Sequence, residues 1–148
     1  MKARQEGFTL IELLVVIAII SILSAVVLAS LNSARKKGSD AAIQSNLDTI
    51  RTQAELYYGG VGGNKYGANA ALESSCTATD NMFNDSNIRR AAAAAVATSG
   101  SVTCNVSALG TQYAVSAQLV SSSNYWCVDS TSVGKTESSA LGTATVCP

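Results

Sequence analysis

The sequence contains no histidine, which removes the commonest general base at neutral pH and a frequent metal ligand. It has no serine in a G-x-S-x-G elbow and no glycine-rich phosphate loop, so nucleophilic and nucleotide chemistry lack their usual residues. Proline occurs once, at Pro148, so nothing upstream carries the strongest helix breaker. Charge of either sign is scarce: Lys+Arg and Asp+Glu number 10 each, and no global field marks a nucleic-acid binder. No cysteine precedes residue 76. The four present, Cys76, Cys104, Cys127 and Cys147, form no C-x-x-C pair, and without histidine they do not make up a zinc site.

What the chain does have is one long apolar run, "GFTLIELLVVIAIISILSAVVLASL", Gly7 to Leu31. It exceeds the ~7–15 residues of a secretory h-region, and no A-x-A site follows it. As a helix, Phe8 to Leu31 would span ~36 Å, slightly more than the ~30 Å hydrocarbon core of a bilayer. The run reads as a retained membrane anchor. Lys2 and Arg4 flank it on one side and Arg35, Lys36 and Lys37 on the other, so charge counting nearly ties on orientation.

Beyond the anchor, Ile43, Leu47, Ile50, Ala54 and Tyr57 recur at helical spacing, with Asp40, Asp48, Arg51 and Glu55 between them. The pattern predicts that the helix continues as an amphipathic one. Gly38 costs it ~1 kcal/mol relative to Ala, and Gly59 and Gly60 supply the stop. One helix from about Phe8 to Tyr58 would be ~77 Å long.

The remaining residues, 59–148, read as a small head. "GGVGGNKYGANA" is a loop. "DSNIRRAAAAAVATSG" predicts a helix at about 86–98, capped by Asp85 or Ser86 and ended by Gly100. Arg89 and Arg90 on it read as solvated. From residue 111 the period becomes two: Tyr113, Val115, Ala117 and Leu119 alternate with small or polar residues, and a serine-rich turn leads to Tyr125, Trp126, Cys127 and Val128. Antiparallel strands are expected over about 111–147, including short ones near 133–136 and 143–147. Tyr113, Tyr125 and Trp126 lack a basic cluster and read as sheet packing. Asn84 and Asn105 begin N-x-S triplets that chance would supply in a serine-rich chain.

Large apolar side chains are few in this head, so staples would stabilise it most. Even cysteine number behind a membrane segment points to disulfides outside the cytoplasm. Three connectivities exist. The sequential one, Cys76–Cys104 and Cys127–Cys147, is favoured, the second closing a loop of about 21 residues worth ~3 kcal/mol.

Glu12 is the anomaly in the apolar run. An acid at mid-bilayer costs ~2.5–3.5 kcal/mol, and less near the interface. An acid at a helix start is favoured by the dipole. A second reading is that it awaits a cation inside an assembly, where an unpaired charge would be costly. Phe8 to Leu31 contains no cation, but cleavage after Gly7 would create an amine on Phe8, one helical turn from Glu12.

"RQEGFTLIELLVVIAIISIL" resembles the class III signal of type IV pilins and the related pseudopilins: a short charged leader, Gly, Phe, then an apolar run with Glu four residues after the Phe. The resemblance implies an α+β, type IV pilin-like fold, a long N-terminal helix packed on a small antiparallel sheet with disulfides. It divides the chain into a prepilin leader (1–7), a transmembrane and filament-core helix (8–31), an amphipathic continuation (32–58) and the head (59–148). It implies that a prepilin peptidase cuts between Gly7 and Phe8 on the cytoplasmic side and N-methylates Phe8. Glu12 would then neutralise the Phe8 amine of a neighbouring copy. Further implied partners are other pilins, an inner-membrane assembly platform with its ATPase, and the lipid bilayer before assembly; no cofactor is implied. The leader would lie inside and the head outside, ending on a cell-surface pilus. The chain departs from the family in having Ser21 and Ala29 where many members have Gly and Pro, residues that help the helix unwind in filaments.

Three functions follow from these residues. The first is a structural pilin, major or minor; the second, a pseudopilin of a type II secretion or DNA-uptake system; the third, a membrane-anchored ectodomain that never polymerises. The missing catalytic residues disfavour an enzyme.

Overall fold

The computed structural model describes residues 7–67 and 76–148. Lys2, Arg4 and the rest of the leader up to residue 6 lie outside the described residues, as does the end of the glycine-rich loop from residue 68. The chain divides into two compact units, 1–35 and 36–148, each taken by itself below. A 50-residue helix, α1 (Leu10–Gly59), supplies residues to both.

In the first unit, the apolar run is helical from Leu10, and its side chains are exposed throughout. Its most apolar 18-residue window has a mean hydropathy of 2.9, and the helix is long and apolar enough to cross a membrane. Ser21 and Ala29 both sit in regular helix. The Ser21 hydroxyl donates to the Ile17 carbonyl at 2.7 Å, which satisfies its polar group without a partner from outside the helix.

In the second unit, α1 turns one face inward. Ile43, Leu47, Ile50 and Ala54 are fully buried, at the spacings read from the sequence. Helix α1 ends at Gly59. A short 3₁₀ turn, Met82–Asn84, buries Met82 and Phe83 and leads into α2, Ser86–Ser99. Asp85 caps α2, its carboxylate accepting from the Asn87 and Ile88 amides at 2.8 and 3.2 Å. Gly100, at φ +87°, closes the other end by donating to the Val96 carbonyl.

Four strands follow in a meander, each antiparallel to the next: β1 (Val102–Val106), β2 (Tyr113–Gln118), β3 (Tyr125–Asp129) and β4 (Gly134–Glu137). The β2–β3 hairpin pairs Ala114 with Asp129 and Gln118 with Tyr125. Alternation decides which face each residue joins. Tyr113, Val115, Ala117 and Leu119 pack with the α1 stripe and with Phe83, Ile88 and Ala95, whereas Ala114 and Cys127 pack on the other face with Leu141 and Cys147. Gly110 precedes β2 at φ +67°, and a Cβ there would fall 2.0 Å from the Gly67 carbonyl oxygen, so this turn admits only glycine.

Three features of this unit differ from the sequence expectation. The sheet begins at Val102, nine residues before 111, and β1 pairs with β2 from Val102↔Ala117 to Val106↔Tyr113. Residues 143–147 are not a strand. That segment is tied to β1, through Asn105 Nδ2 donating to the Gly142 and Ala144 carbonyls at 2.9 and 2.8 Å, and to β3, through the Cys127–Cys147 disulfide. Because β2 lies between β1 and β3, a segment fastened to both must cross the sheet face rather than extend its edge. Asp40, expected among the polar positions, is buried. It stands three residues before Ile43, on the same stripe.

Both disulfides lie in this unit: Cys76–Cys104, with Cα atoms 5.2 Å apart, and Cys127–Cys147, at 5.8 Å. Two buried carboxylates serve as backbone anchors. Asp40 Oδ1 accepts from the Val120 and Ser121 amides at 2.6 and 3.2 Å and thereby holds the β2–β3 turn to α1. Asp129 accepts from the Thr131 amide and hydroxyl at 2.8 and 2.6 Å, and from the Cys147 amide at 2.8 Å. Burial alone would push the Asp129 carboxyl up; the Thr131 and Cys147 donors outweigh it and hold the carboxyl below its usual value.

Replacing Asp40 by Ala strands two turn amides, and denaturant unfolding of the full chain in micelles should show a loss of ~1–3 kcal/mol. Faster amide exchange should be confined to Val120, Ser121 and their neighbours. The lowered Asp129 carboxyl contributes stability that is complete above its ordinary value near 4 and is lost as pH falls through the folded value. Asp129→Asn should therefore lower stability at neutral pH and flatten its fall as the pH drops below about 4.

Candidate processing and assembly site

The residues singled out at the N-terminus, Gly7, Phe8 and Glu12, fall within one turn of the start of α1. Gly7, Phe8 and Thr9 are exposed and outside the helix, which begins at Leu10. The Gly7–Phe8 peptide bond thus lies in non-helical chain, open to approach, immediately before a long helix.

Thr9 determines where that boundary falls. Its hydroxyl accepts from the Glu12 amide at 3.3 Å, while Glu12 Oε2 accepts from the Thr9 amide at 2.9 Å and from the Thr9 hydroxyl at 2.6 Å. This is a reciprocal capping box: it satisfies backbone donors that a helix start otherwise leaves open. Thr9 was not among the residues picked out above, although T-x-x-E before an apolar run is its signature. It accounts for the helix starting two residues later than expected. In the uncut chain the Phe8 nitrogen is a peptide amide carrying no charge, and Glu12 bonds to Thr9 through one oxygen. The acid is therefore held at the first turn of the helix by local bonds alone.

Other residues considered from the sequence lie elsewhere. Tyr113 is buried edge-on to Tyr66, ring centroids 4.7 Å apart, and Tyr66 packs on Tyr58 at 4.9 Å and donates to Glu55 Oε1 at 2.8 Å. Burial, and then the Glu55 carboxylate, push the Tyr66 phenol well above its usual range, so it stays protonated. Trp126 packs half-buried against the core. Asn105 is buried, with its amide nitrogen given to the C-terminal segment, so the folded head does not present it for glycosylation. Among the described residues, no three His, Cys, Asp or Glu side chains gather as a metal site.

Residues 2–28 match the family model of the prokaryotic N-terminal methylation motif. Over 68 residues the chain is 44% identical to the type IV wide pilus major component PilA4 of Thermus thermophilus, an alignment covering 46% of this chain and 50% of that protein. Over these stretches the chain is similar to type IV pilins. It spans about half the length of the curated relative it matches. No solved structure matches it significantly. The family-model match includes the capping box, and the α+β head with two disulfides carries a pilin-like layout downstream.

If Thr9 positions Glu12, then Thr9→Val should loosen the first turn of α1 by ~1 kcal/mol, roughly a five-fold faster exchange of the Glu12 amide in micelles. Thr9→Ser, which keeps the hydroxyl, should exchange as the parent does.

Proposed function

We propose that the chain is a structural type IV pilin, major or minor, made as a membrane-anchored precursor. On this reading a prepilin peptidase cuts after Gly7 and methylates the new Phe8 amine. Subunits then pass from the bilayer into an extracellular filament whose centre is the apolar part of α1. An assembly platform and its ATPase drive the transfer, and the partner each subunit recognises is another copy or a related pilin.

One observation carries the proposal: the scissile bond lies just outside a helix that holds Glu12 in place one turn further on. Cutting turns the neutral Phe8 nitrogen into a cation, which supplies the charge that Glu12 lacks within the apolar run. Between staggered copies that attraction sets register as well as affinity, because an acid left unpaired in a dry helix bundle is costly. The exposed apolar run supplies the bulk of the cohesion. In lipid, such helices gain little from associating. Once in water, each Å² of apolar surface hidden is worth roughly 25 cal/mol, so the filament dissociates with difficulty.

Mass spectrometry of sheared surface filaments should find this chain beginning at methylated Phe8. Its detection only in membranes, at any start point, would instead favour a pseudopilin or an unassembled anchor. Substituting Gly7 should block processing. Glu12→Ala should insert and be cut but give few filaments; abundant wild-type-length filaments from a Glu12→Ala strain lacking other subunits would defeat the pairing argument.

A further inference from the structure

We propose that a cleft along α2 binds a single-chain anionic amphiphile, a molecule with one acyl tail and a carboxylate or phosphate head. The proposal rests on residues of the 36–148 unit alone and does not depend on polymerisation.

The cleft has a volume of about 920 Å³, within the ~300–1,000 Å³ usual for small-molecule sites. Ala93, Val96 and Ala97 of α2 and Val102 of β1 line its apolar part. Val96 is 41% exposed, a branched apolar side chain left facing water. Arg89 and Arg90 line the same cleft. Along the helix axis, Arg89 and Val96 are separated by ~10 Å. Along α2, Ser86 and the cations line the start of the cleft and small apolar side chains its end, with Ser101 beyond them.

Arg90 donates to the Asn87 side-chain carbonyl at 3.3 Å, a neutral acceptor. Among the described residues neither arginine has an acidic partner, and the nearby Asp85 carboxylate is committed to capping the helix. An acidic head would find two guanidinium groups able to offer paired donors.

The apolar part favours an acyl tail over a peptide. A peptide laid there would bring backbone N–H and C=O groups that alanine and valine side chains cannot satisfy. An acyl tail brings none, and gains from each methylene it hides.

The test uses a photoreactive diazirine analogue of palmitate with the full chain in phosphatidylcholine nanodiscs, adducts being mapped by mass spectrometry. Adducts are expected on residues 86–103 as well as on the apolar run, and unlabelled palmitate should compete for the former at least ten-fold better than hexadecanol. Val96→Asp should cut adducts on 86–103 at least ten-fold while labelling of residues 8–31 is unchanged, with both disulfides formed as the check on folding. Joint Arg89→Gln and Arg90→Gln substitution should erase the preference for acid over alcohol. The proposal is overturned by adducts confined to the apolar run, by equal competition from acid and alcohol, or by a preference that survives loss of both arginines. Protection of 86–103 only when copies assemble would identify another protein chain as the occupant and overturn it equally.

Discussion

An exposed helix of more than twenty apolar residues is untenable in water, and every other feature of the N-terminal region answers to that. Such a surface must always be covered, by lipid or by protein. Both coverings are apolar and exclude water, so the helix has to satisfy its own polar groups. It does so locally. The Ser21 hydroxyl returns to a carbonyl one turn back, and Thr9 and Glu12 satisfy each other at the start. The helix start thus meets its backbone needs in lipid or against protein, and only the Glu12 charge is left without a cation.

The head faces a different constraint, a shortage of large apolar side chains. Its core is assembled from the α1 stripe, a few residues around Phe83 and alternate positions of a four-stranded meander. What burial does not supply comes from covalent bonds and buried carboxylates. Cys76–Cys104 joins the chain before α2 to β1, and Cys127–Cys147 ties the C-terminal segment to β3. Asp40 and Asp129 each hold backbone amides that regular secondary structure leaves free. A buried carboxylate is tolerable in these places because several donors converge on it.

Periodicity made the long elements legible. Ile43, Leu47, Ile50 and Ala54 mark a helical face whatever surrounds them, and Asp85 and Gly100 are strong signals for the ends of α2. The β2–β3 hairpin is equally plain, since Tyr113, Val115, Ala117 and Leu119 keep to one face while the residues between them turn to the other. Side-chain to backbone bonds hid the remainder. Val102, Cys104 and Val106 alternate properly, but five residues make a weak signal. Residues 143–147 look strand-like, yet their carbonyls and amides meet Asn105 and Asp129 instead of a neighbouring strand. Asp40 reads as a surface residue by its polarity, although its place three residues before Ile43 puts it on the buried stripe. At the N-terminal site, Gly7, Phe8 and Glu12 stood out as a cleavage point and an isolated acid, whereas Thr9 was inconspicuous as a polar residue whose role depends on one three residues away.

The C-terminal segment lies across the back of the sheet and is fastened at separate points: Asn105 grips it at Gly142 and Ala144, Leu141 is buried beneath it, and Cys147 pins its end. Ser138, Ser139 and Ala140 between β4 and these fastenings are exposed. Like a strap buckled at one end and riveted at the other, the segment can change its outer face while its attachments stay put. Substitution of those three residues touches neither sheet pairing nor core, so the surface chemistry there is free to vary.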